Sequence, residues 1–156
     1  MVDQKRCFVL MPISDAPGYE KGHFDRVYEY IIKPACEKAG YQPYRADAVK
    51  KTNYIVIDIL HSILNAEMAV CDLSSRNPNV LYELGIRQAF NKQVVLIKDE
   101  KTDRIFDIQG LRDTEYDSTL RVDSVNTAIS HISKSISETK ESSQDDVNSL
   151  IQLLRI

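Results

Sequence analysis

The chain has 156 residues, of which 43% are hydrophobic and 28% charged, enough for one folded domain with a real core, and this excludes a disordered chain. Its formal charge of −3, from 20 basic and 23 acidic residues, removes the usual electrostatic reason to bind nucleic acid or an acidic membrane. No apolar run approaches the roughly 20 residues that span a bilayer. We therefore expect a cytoplasmic protein with a small-molecule or protein partner.

The first third of the chain alternates strand-like and helical patterns. Residues 7–11 form a continuous apolar run, which predicts a strand buried on both faces. From residue 24 to 39, apolar side chains recur at spacings of three and four, which predicts a helix that Pro34 should kink. Residues 41–45 contain a proline and predict an edge strand.

Six further elements are predicted downstream: a helix from about 53 to 66, a strand at 68–71, a helix from 78 to about 90, a strand at 93–97, a short strand at 114–116 and a helix at 122–136. Thr52 or Asn53 would cap the first of these helices, and Asn77 followed by proline would cap the second. Residues 98–103 are predicted as a charged loop. The predicted domain covers residues 1–138, followed by a polar linker and a short C-terminal helix within 139–156.

The cysteines and glycines limit which kinds of site are available. Cys7, Cys36 and Cys71 each lie in an apolar pattern without a CxxC pair or clustered histidines, so we expect buried thiols rather than a disulfide or a zinc site. The five glycines form no GxGxxG or P-loop pattern. A nucleotide site must therefore be built another way, and we expect no metal and no cofactor. Gly85 is expected to allow close helix packing.

Strands that alternate with helices predict an α/β three-layer sandwich with a mostly parallel sheet of about five strands, in the order 2-1-3-4-5. In such a sheet, ligands bind at the carboxyl ends of the strands, between the first and the third strand. The loops expected there span residues 12–23 and 72–82, where polar and turn-forming residues concentrate. The position of ligand sites in such sheets and the polar composition of the two loops therefore predict the same location for the site.

Two acidic residues near the second loop are candidate catalytic groups. Glu83 lies about one and a half turns into the helix after Asn77, where the helix dipole favours a charged carboxylate. Such a carboxylate can attack an anomeric carbon or stabilise an oxocarbenium ion. Asp72 would protonate a leaving base or bind sugar hydroxyls. The structural alternatives are a surface ion pair between Glu83 and Arg87, and a turn capped by Asp72.

The remaining candidates would bind the substrate. Pro12 fixes the exit from the first strand, and Ser14 with the neighbouring backbone amides could hold a phosphate or a ribose. Tyr82 could stack on a base, or pack in the core instead. Asn77 could be a helix cap, a ligand contact or both. The candidate substrate-binding residues are Pro12, Ile13, Ser14, Asn77, Asn79 and Tyr82.

One segment resembles a known family. The run Asn-Pro-Asn-Val-Leu-Tyr-Glu-Leu-Gly at 77–85 follows an apolar strand that ends in Asp, and Phe-Val-Leu-Met-Pro stands at 8–12. Together these resemble the nucleoside 2-deoxyribosyltransferase-like proteins, a group related to bacterial TIR-like domains, over roughly the first hundred residues. The resemblance implies a flavodoxin-like fold and a catalytic glutamate at Glu83. It also implies a homo-oligomer.

Within this superfamily the glutamate has two known roles. In the transferases it attacks the anomeric carbon, and in TIR-like enzymes it supports cleavage of the nicotinamide–ribose bond of NAD. The transferases carry an aspartate six residues before the glutamate, where this chain has Asn77. The Asn-Pro-Asn form looks like that of signalling and defence members, which implies NAD or a related nucleotide as substrate.

Three functions are compatible with these features. The first is an enzyme that cleaves or transfers the N-glycosidic bond of a nucleotide or nucleoside through Glu83, of the NAD hydrolase or deoxyribosyltransferase type. The second is a non-catalytic nucleotide-sensing or assembly module of a bacterial signalling or defence system. The third is a phosphoacceptor receiver with Asp72 as acceptor and Lys98 after the fourth strand; it lacks the acidic pair expected after the first strand.

Overall fold

A computed structural model describes residues 4–46, 55–105 and 112–142, without the side chains of residues 55 and 56. None of the helices in these ranges is long and apolar enough to cross a membrane. In chain order the elements are β1 (Lys5–Leu10), α1 (His23–Val27), a π-helical turn (Tyr28–Ile32), α2 (Lys33–Lys38), β2 (Tyr41–Arg45), α3 (Ile55–Asn65), β3 (Met68–Asp72), a 3₁₀ turn (Ser74–Arg76), α4 (Pro78–Ala89), β4 (Val95–Asp99), β5 (Asp113–Tyr116) and α5 (Val122–Glu141).

The five strands form one parallel sheet in the order β2-β1-β3-β4-β5, which confirms the predicted order and the flavodoxin-like architecture. In the register, Val9 lies opposite Val70 and Asp72 opposite Ile97. β2 is an edge strand, as its Pro43 predicted, because proline has no N–H with which to hydrogen-bond a neighbouring strand and is tolerated at a sheet edge. The carboxyl ends of β1 and β3 therefore lie side by side.

Two hydrophobic cores cover the two faces of the sheet. Cys7 and Val9 of β1 pack with side chains of α1, α2 and α5. Phe8 and Leu10 pack with side chains of α3 and α4 on the opposite face. All four are essentially inaccessible to solvent. The continuous apolar run in β1 is thus explained by helices on both faces, and the architecture is the predicted three-layer sandwich.

The first helical segment contains a π-helical turn just before Pro34. Proline has no N–H, and its ring would collide with the carbonyl of Tyr30, four residues earlier, in a regular α-helix. The turn at Tyr28–Ile32 widens the backbone at this point, and Ile31 and Ile32 remain buried. The expected disturbance by Pro34 therefore takes the form of a local π-helical turn.

β4 and α5 both extend beyond their predicted ends. β4 extends to Asp99, so Lys98 and Asp99 are buried at the end of a strand and not in the predicted loop. The ammonium group of Lys98 donates to the carbonyls of Asp99 and Thr102 and to the Glu115 carboxylate, and these partners offset the cost of burying its charge. α5 extends to Glu141, into the predicted linker. The predicted caps at residues 52 and 53 and the segment 143–156 lie outside the described residues.

Gly85 does not have the close packing expected from the sequence. It is exposed on α4, and a Cβ added there would meet nothing within 4 Å.

We therefore expect Gly85→Ala to raise the free energy of unfolding by about 0.5–1 kcal/mol, because alanine loses less backbone entropy in a helix. Calorimetry should show a melting temperature higher by about 1–4 °C. Gly40→Ala is the control: its φ of +89° strains an L residue, so this variant should be less stable. A Gly85→Ala protein no more stable than wild type would contradict the prediction.

Candidate active site

A cavity of about 360 Å³ lies at the carboxyl end of β1, between α3 and the first half of α4. Sites for small organic ligands usually have volumes of this order or larger. Most of the lining is apolar, with a few polar side chains at the α4 end. The lining residues are Val9, Met11, Ile13, Ser14, Ala46, Ile59, Leu60, Ile63, Asn77, Asn79, Val80, Tyr82, Glu83 and Ile86.

Most of the candidate residues from the sequence meet in this cavity. Its lining includes Ile13, Ser14, Asn77, Asn79, Tyr82 and Glu83. Pro12 stands between two lining residues in the sequence, but its side chain is buried and does not line the cavity. Asp72 does not line it either. The structure therefore brings both predicted loops to one place but separates the two candidate catalytic carboxyl groups.

The apolar wall formed by α3 was missed as part of the site. Ile59 and Ile63 are spaced four apart on the helix predicted from about residue 53 to 66, and both line the cavity together with Leu60. The sequence signal was the apolar face of this helix. It does not distinguish a face that packs against protein from one that also borders a ligand.

The carboxyl group of Glu83 makes no hydrogen bond and no ion pair with any described residue. Its half-buried position in apolar surroundings raises its pKa from an ordinary 4.5 to about 7. The helix dipole was expected to favour the charged form of Glu83, but desolvation dominates and shifts the pKa in the opposite direction. At neutral pH both the acid and the carboxylate are populated.

Arg87 does not pair with Glu83, so the surface ion pair considered from the sequence is wrong. Its guanidinium is fully buried and donates hydrogen bonds to backbone carbonyls. The Nη1 atom donates to Ile63 and Ala66, and Nε and Nη2 both donate to Gln93. Burial lowers the Arg87 pKa to about 10. Arg87 thereby ties α4 to the end of α3 and to the segment before β4.

The start of α4 presents polar groups to the cavity. Asn77 caps the helix as predicted, with Oδ1 accepting from the N–H of Asn79 at 2.9 Å and of Val80 at 3.2 Å. The Nδ2 donors of Asn77 have no partner among the described residues. Tyr82 is 72% exposed, so the alternative that it packs in the core is wrong. The cavity mouth thus offers amide groups and an aromatic ring.

Asp72 is fully buried beneath the second loop. Its Oδ1 accepts from the N–H of Ser74 at 3.0 Å, and its Oδ2 accepts from the Tyr116 hydroxyl at 2.7 Å. Burial raises its pKa to about 6, and these hydrogen bonds oppose part of that rise. The geometry is that of a capped turn. A phosphoacceptor must be accessible to its phosphodonor, so this placement also speaks against the receiver hypothesis.

No lysine or arginine lines the cavity within the described part of the chain. The N-terminus of α4 offers little to an anion, because the Asn77 side chain already accepts from two of its N–H groups.

A second cavity, of about 490 Å³, lies between β5 and α5 and is bordered by the carboxylates of Glu100, Glu115, Asp117 and Asp123. That acidic lining is unsuited to an anionic ligand, and none of the predicted site residues borders it. We assign the site to the smaller cavity.

The described side chains contain no group of three or more His, Cys, Asp or Glu residues that could hold a metal ion. The three cysteines are free and buried. A hydrogen bond with the neighbouring Cys36 thiol, together with burial, raises the pKa of Cys7, and burial raises that of Cys71. These thiols are packing residues, as predicted.

No family model and no curated protein matches the chain. Among solved structures, the chain is similar to a CMP N-glycosidase from Clostridium botulinum, BcmB. The sequence identity is 17% and the TM-score 0.48, over 72% of this chain and 88% of that chain. These comparisons give no support to the TIR-like part of the sequence resemblance, and we assign no family on them. The sheet order by itself places the chain among flavodoxin-like α/β proteins.

Proposed function

We propose that this protein cleaves the N-glycosidic bond of a nucleoside or nucleotide, with Glu83 as the group that meets the anomeric carbon. The observation that carries the proposal is the Glu83 carboxyl, which has no described partner, has a pKa of about 7 and faces a cavity of small-molecule size. A titratable group shifted in this way and placed in a cleft is typical of a functional site. The resemblance at 77–85 supports the same assignment.

The chemistry needs the ionised form of Glu83. A carboxylate oxygen approaches the anomeric carbon, the C–N bond breaks, and its electron pair leaves with the base, which takes a proton from solvent. Glu83 then either bonds to the sugar or stabilises its oxocarbenium ion. Water completes hydrolysis, whereas a second base would complete transfer. The apolar lining strengthens the electrostatic interaction with the positive charge that develops on the sugar.

The other lining residues suit the two halves of such a substrate. Asn77 and Asn79 present amide groups, and Ser14 a hydroxyl, to the sugar. Tyr82 and Ile13 border the mouth with exposed apolar surface on which a base can stack. Asp72 is not assigned a step, since both of its oxygens are occupied in the buried turn.

The test is base release from a panel of ribonucleosides, deoxynucleosides, their monophosphates and NAD, followed by chromatography. We expect free base from at least one member. A ligand that raises the melting temperature without turnover would instead support the non-catalytic nucleotide-sensing alternative. Release of no base from the whole panel by correctly folded protein would overturn the enzyme proposal.

Within the panel, we expect nucleosides to be better substrates than their 5′-monophosphates. A phosphate carries nearly two negative charges, and the described lining supplies no cation to meet them. The ratio of kcat/KM should favour the nucleoside by about tenfold or more, which corresponds to about 1.4 kcal/mol. Steady-state kinetics on matched pairs measures the ratio. A preference for the monophosphate or for NAD would contradict this prediction and leave the role of Glu83 intact.

A further inference from the structure

We propose that Asp99 and Thr102 are positioning residues for the Glu83 site, and that they hold the two cavity-lining loops in register from outside the cavity. In the structure, the first loop comprises residues 11–22, between β1 and α1, and the second loop comprises residues 73–77, between β3 and α4. Neither Asp99 nor Thr102 lines the cavity, and both are buried. This inference rests on the proposed function, because the geometry it explains is that of the candidate active site.

The first loop is anchored to the end of β4. The Tyr19 hydroxyl donates to Oδ2 of Asp99 at 2.6 Å, and the Lys101 ammonium donates to the carbonyl of Gly18 at 3.0 Å. The loop is also closed internally, since the N–H of Gly22 donates to Oδ1 of Asp15 at 2.8 Å. Its other end carries the residues that line the cavity, Ile13 and Ser14. The anchor at Asp99 therefore limits how far this wall of the cavity can move.

The second loop is anchored to the same segment. The N–H of Ser75 donates to Oγ1 of Thr102 at 3.0 Å, and the N–H of Asp99 donates to Oγ of Ser74 at 2.9 Å. Ser75 has a φ of 63° and Arg76 a φ of 51°, both in the left-handed region without being glycine. Such residues are sterically strained and persist only where their surroundings hold them.

This strained turn determines where α4 begins. Asn77 follows Arg76 directly and caps the helix that carries Glu83. A change in the backbone at Ser75 would therefore move the start of α4 relative to the first loop. A displacement of about 1 Å in an active site can reduce the rate by about two orders of magnitude.

The Thr102 hydroxyl is the link between the two anchors. It donates its single proton to Oδ1 of Asp99 at 2.8 Å and accepts the N–H of Ser75 on its oxygen. The backbone N–H of Thr102 donates to the same Asp99 oxygen at 2.9 Å. Removing the hydroxyl would leave the partly buried N–H of Ser75 without its acceptor, while the bond from Tyr19 to Asp99 would remain.

The test compares Thr102→Val with Thr102→Ser, and uses Thr114→Val as the matched control. Thr114 lies on β5 away from the cavity, where its hydroxyl shares a 3.0 Å hydrogen bond with Ser135. Per folded molecule, Thr102→Val should lower kcat/KM for base release by about tenfold or more, and Thr102→Ser should restore it to within about threefold of wild type. Thr114→Val should leave it unchanged.

Amide hydrogen exchange provides a readout that does not depend on activity. In Thr102→Val, the amides of Ser75, Asn79 and Val80 should exchange faster by about tenfold, whereas those of α5 should not change. If Thr102→Val does not fold, Tyr19→Phe replaces it and should accelerate exchange in the first loop.

Unchanged exchange in the two loops overturns the positioning proposal. If the wild-type protein releases no base, the proposed function fails and exchange alone decides whether these residues hold the loops. If exchange increases while kcat/KM stays at the wild-type value, the anchors do not position the catalytic site, and the proposal is also overturned.

Discussion

Glu83→Gln is expected to abolish base release, with kcat lowered by about 10³-fold or more. Glutamine has nearly the same size and shape as glutamic acid but cannot carry the negative charge that attacks or stabilises the anomeric carbon. The loss should be seen with every substrate of the panel, because the charge acts at the bond that breaks. Chromatographic measurement of free base under single-turnover conditions checks it, with folding confirmed by circular dichroism.

Glu83→Gln is expected to lower activity but to raise the free energy of unfolding at alkaline pH. Burial raises the Glu83 pKa from 4.5 to about 7, so the folded state holds the proton more tightly than the unfolded state. The stability that this proton contributes is fully present below about pH 4.5 and is lost as the pH rises through about 7. Glu83→Gln should therefore be more stable than wild type at pH 8, by about 1–2 kcal/mol after allowance for partial exposure, and similar at pH 4.

Glu138→Gln is the matched control, since this glutamate lies on α5 with its side chain 67% exposed, beside Lys134. It should leave base release unchanged. The wild-type rate should rise with pH through about 7, because the ionised carboxylate is the reactive form. A Glu83→Gln protein that retains more than a few per cent of wild-type activity would remove Glu83 from the mechanism.

Arg87→Met is expected to produce the largest loss of stability, about 3–5 kcal/mol. Methionine fills much of the volume but leaves the carbonyls of Ile63, Ala66 and Gln93 without their donors. The bonds to these carbonyls join the end of α3 and the segment before β4 to α4. The midpoint of thermal unfolding should fall by about 6–20 °C for a chain of this size.

Arg121→Met provides the comparison, because Arg121 is 73% exposed and its Nε lies 3.5 Å from the carboxylate of Asp123, which is 74% exposed. An exposed ion pair of this kind contributes little, so the control should lie within about 1 kcal/mol of wild type. Urea unfolding measures both variants. Equal stability of the two would show that the buried guanidinium is not the structural link between α3 and α4 that its hydrogen bonds indicate.

Local features of the sequence were sufficient to predict most of the strands and helices and the sheet edge at which the candidate site lies. The apolar run in β1 predicted a strand covered on both faces, Pro43 predicted an edge strand, and Asn77 with Pro78 predicted the start of α4. These features depend on neighbours in the chain or on the period of side chains along one element, so they can be derived without knowing the rest of the fold. The loop positions then placed Glu83 and five of its candidate neighbours at one end of the sheet.

The homo-oligomer implied by the resemblance stays a prediction, which light scattering can check.

Only the tertiary structure decided what the charged residues do. Glu83 and Arg87 stand four apart on one helix, a spacing typical of an exposed ion pair, yet Glu83 faces a cavity and Arg87 donates to the backbone carbonyls of Ile63, Ala66 and Gln93. Asp72 ends a strand beside the site but is enclosed by Ser74 and Tyr116. A charged side chain is stabilised or shifted in pKa by groups far away in sequence, and those groups are defined only when the strands and helices pack together.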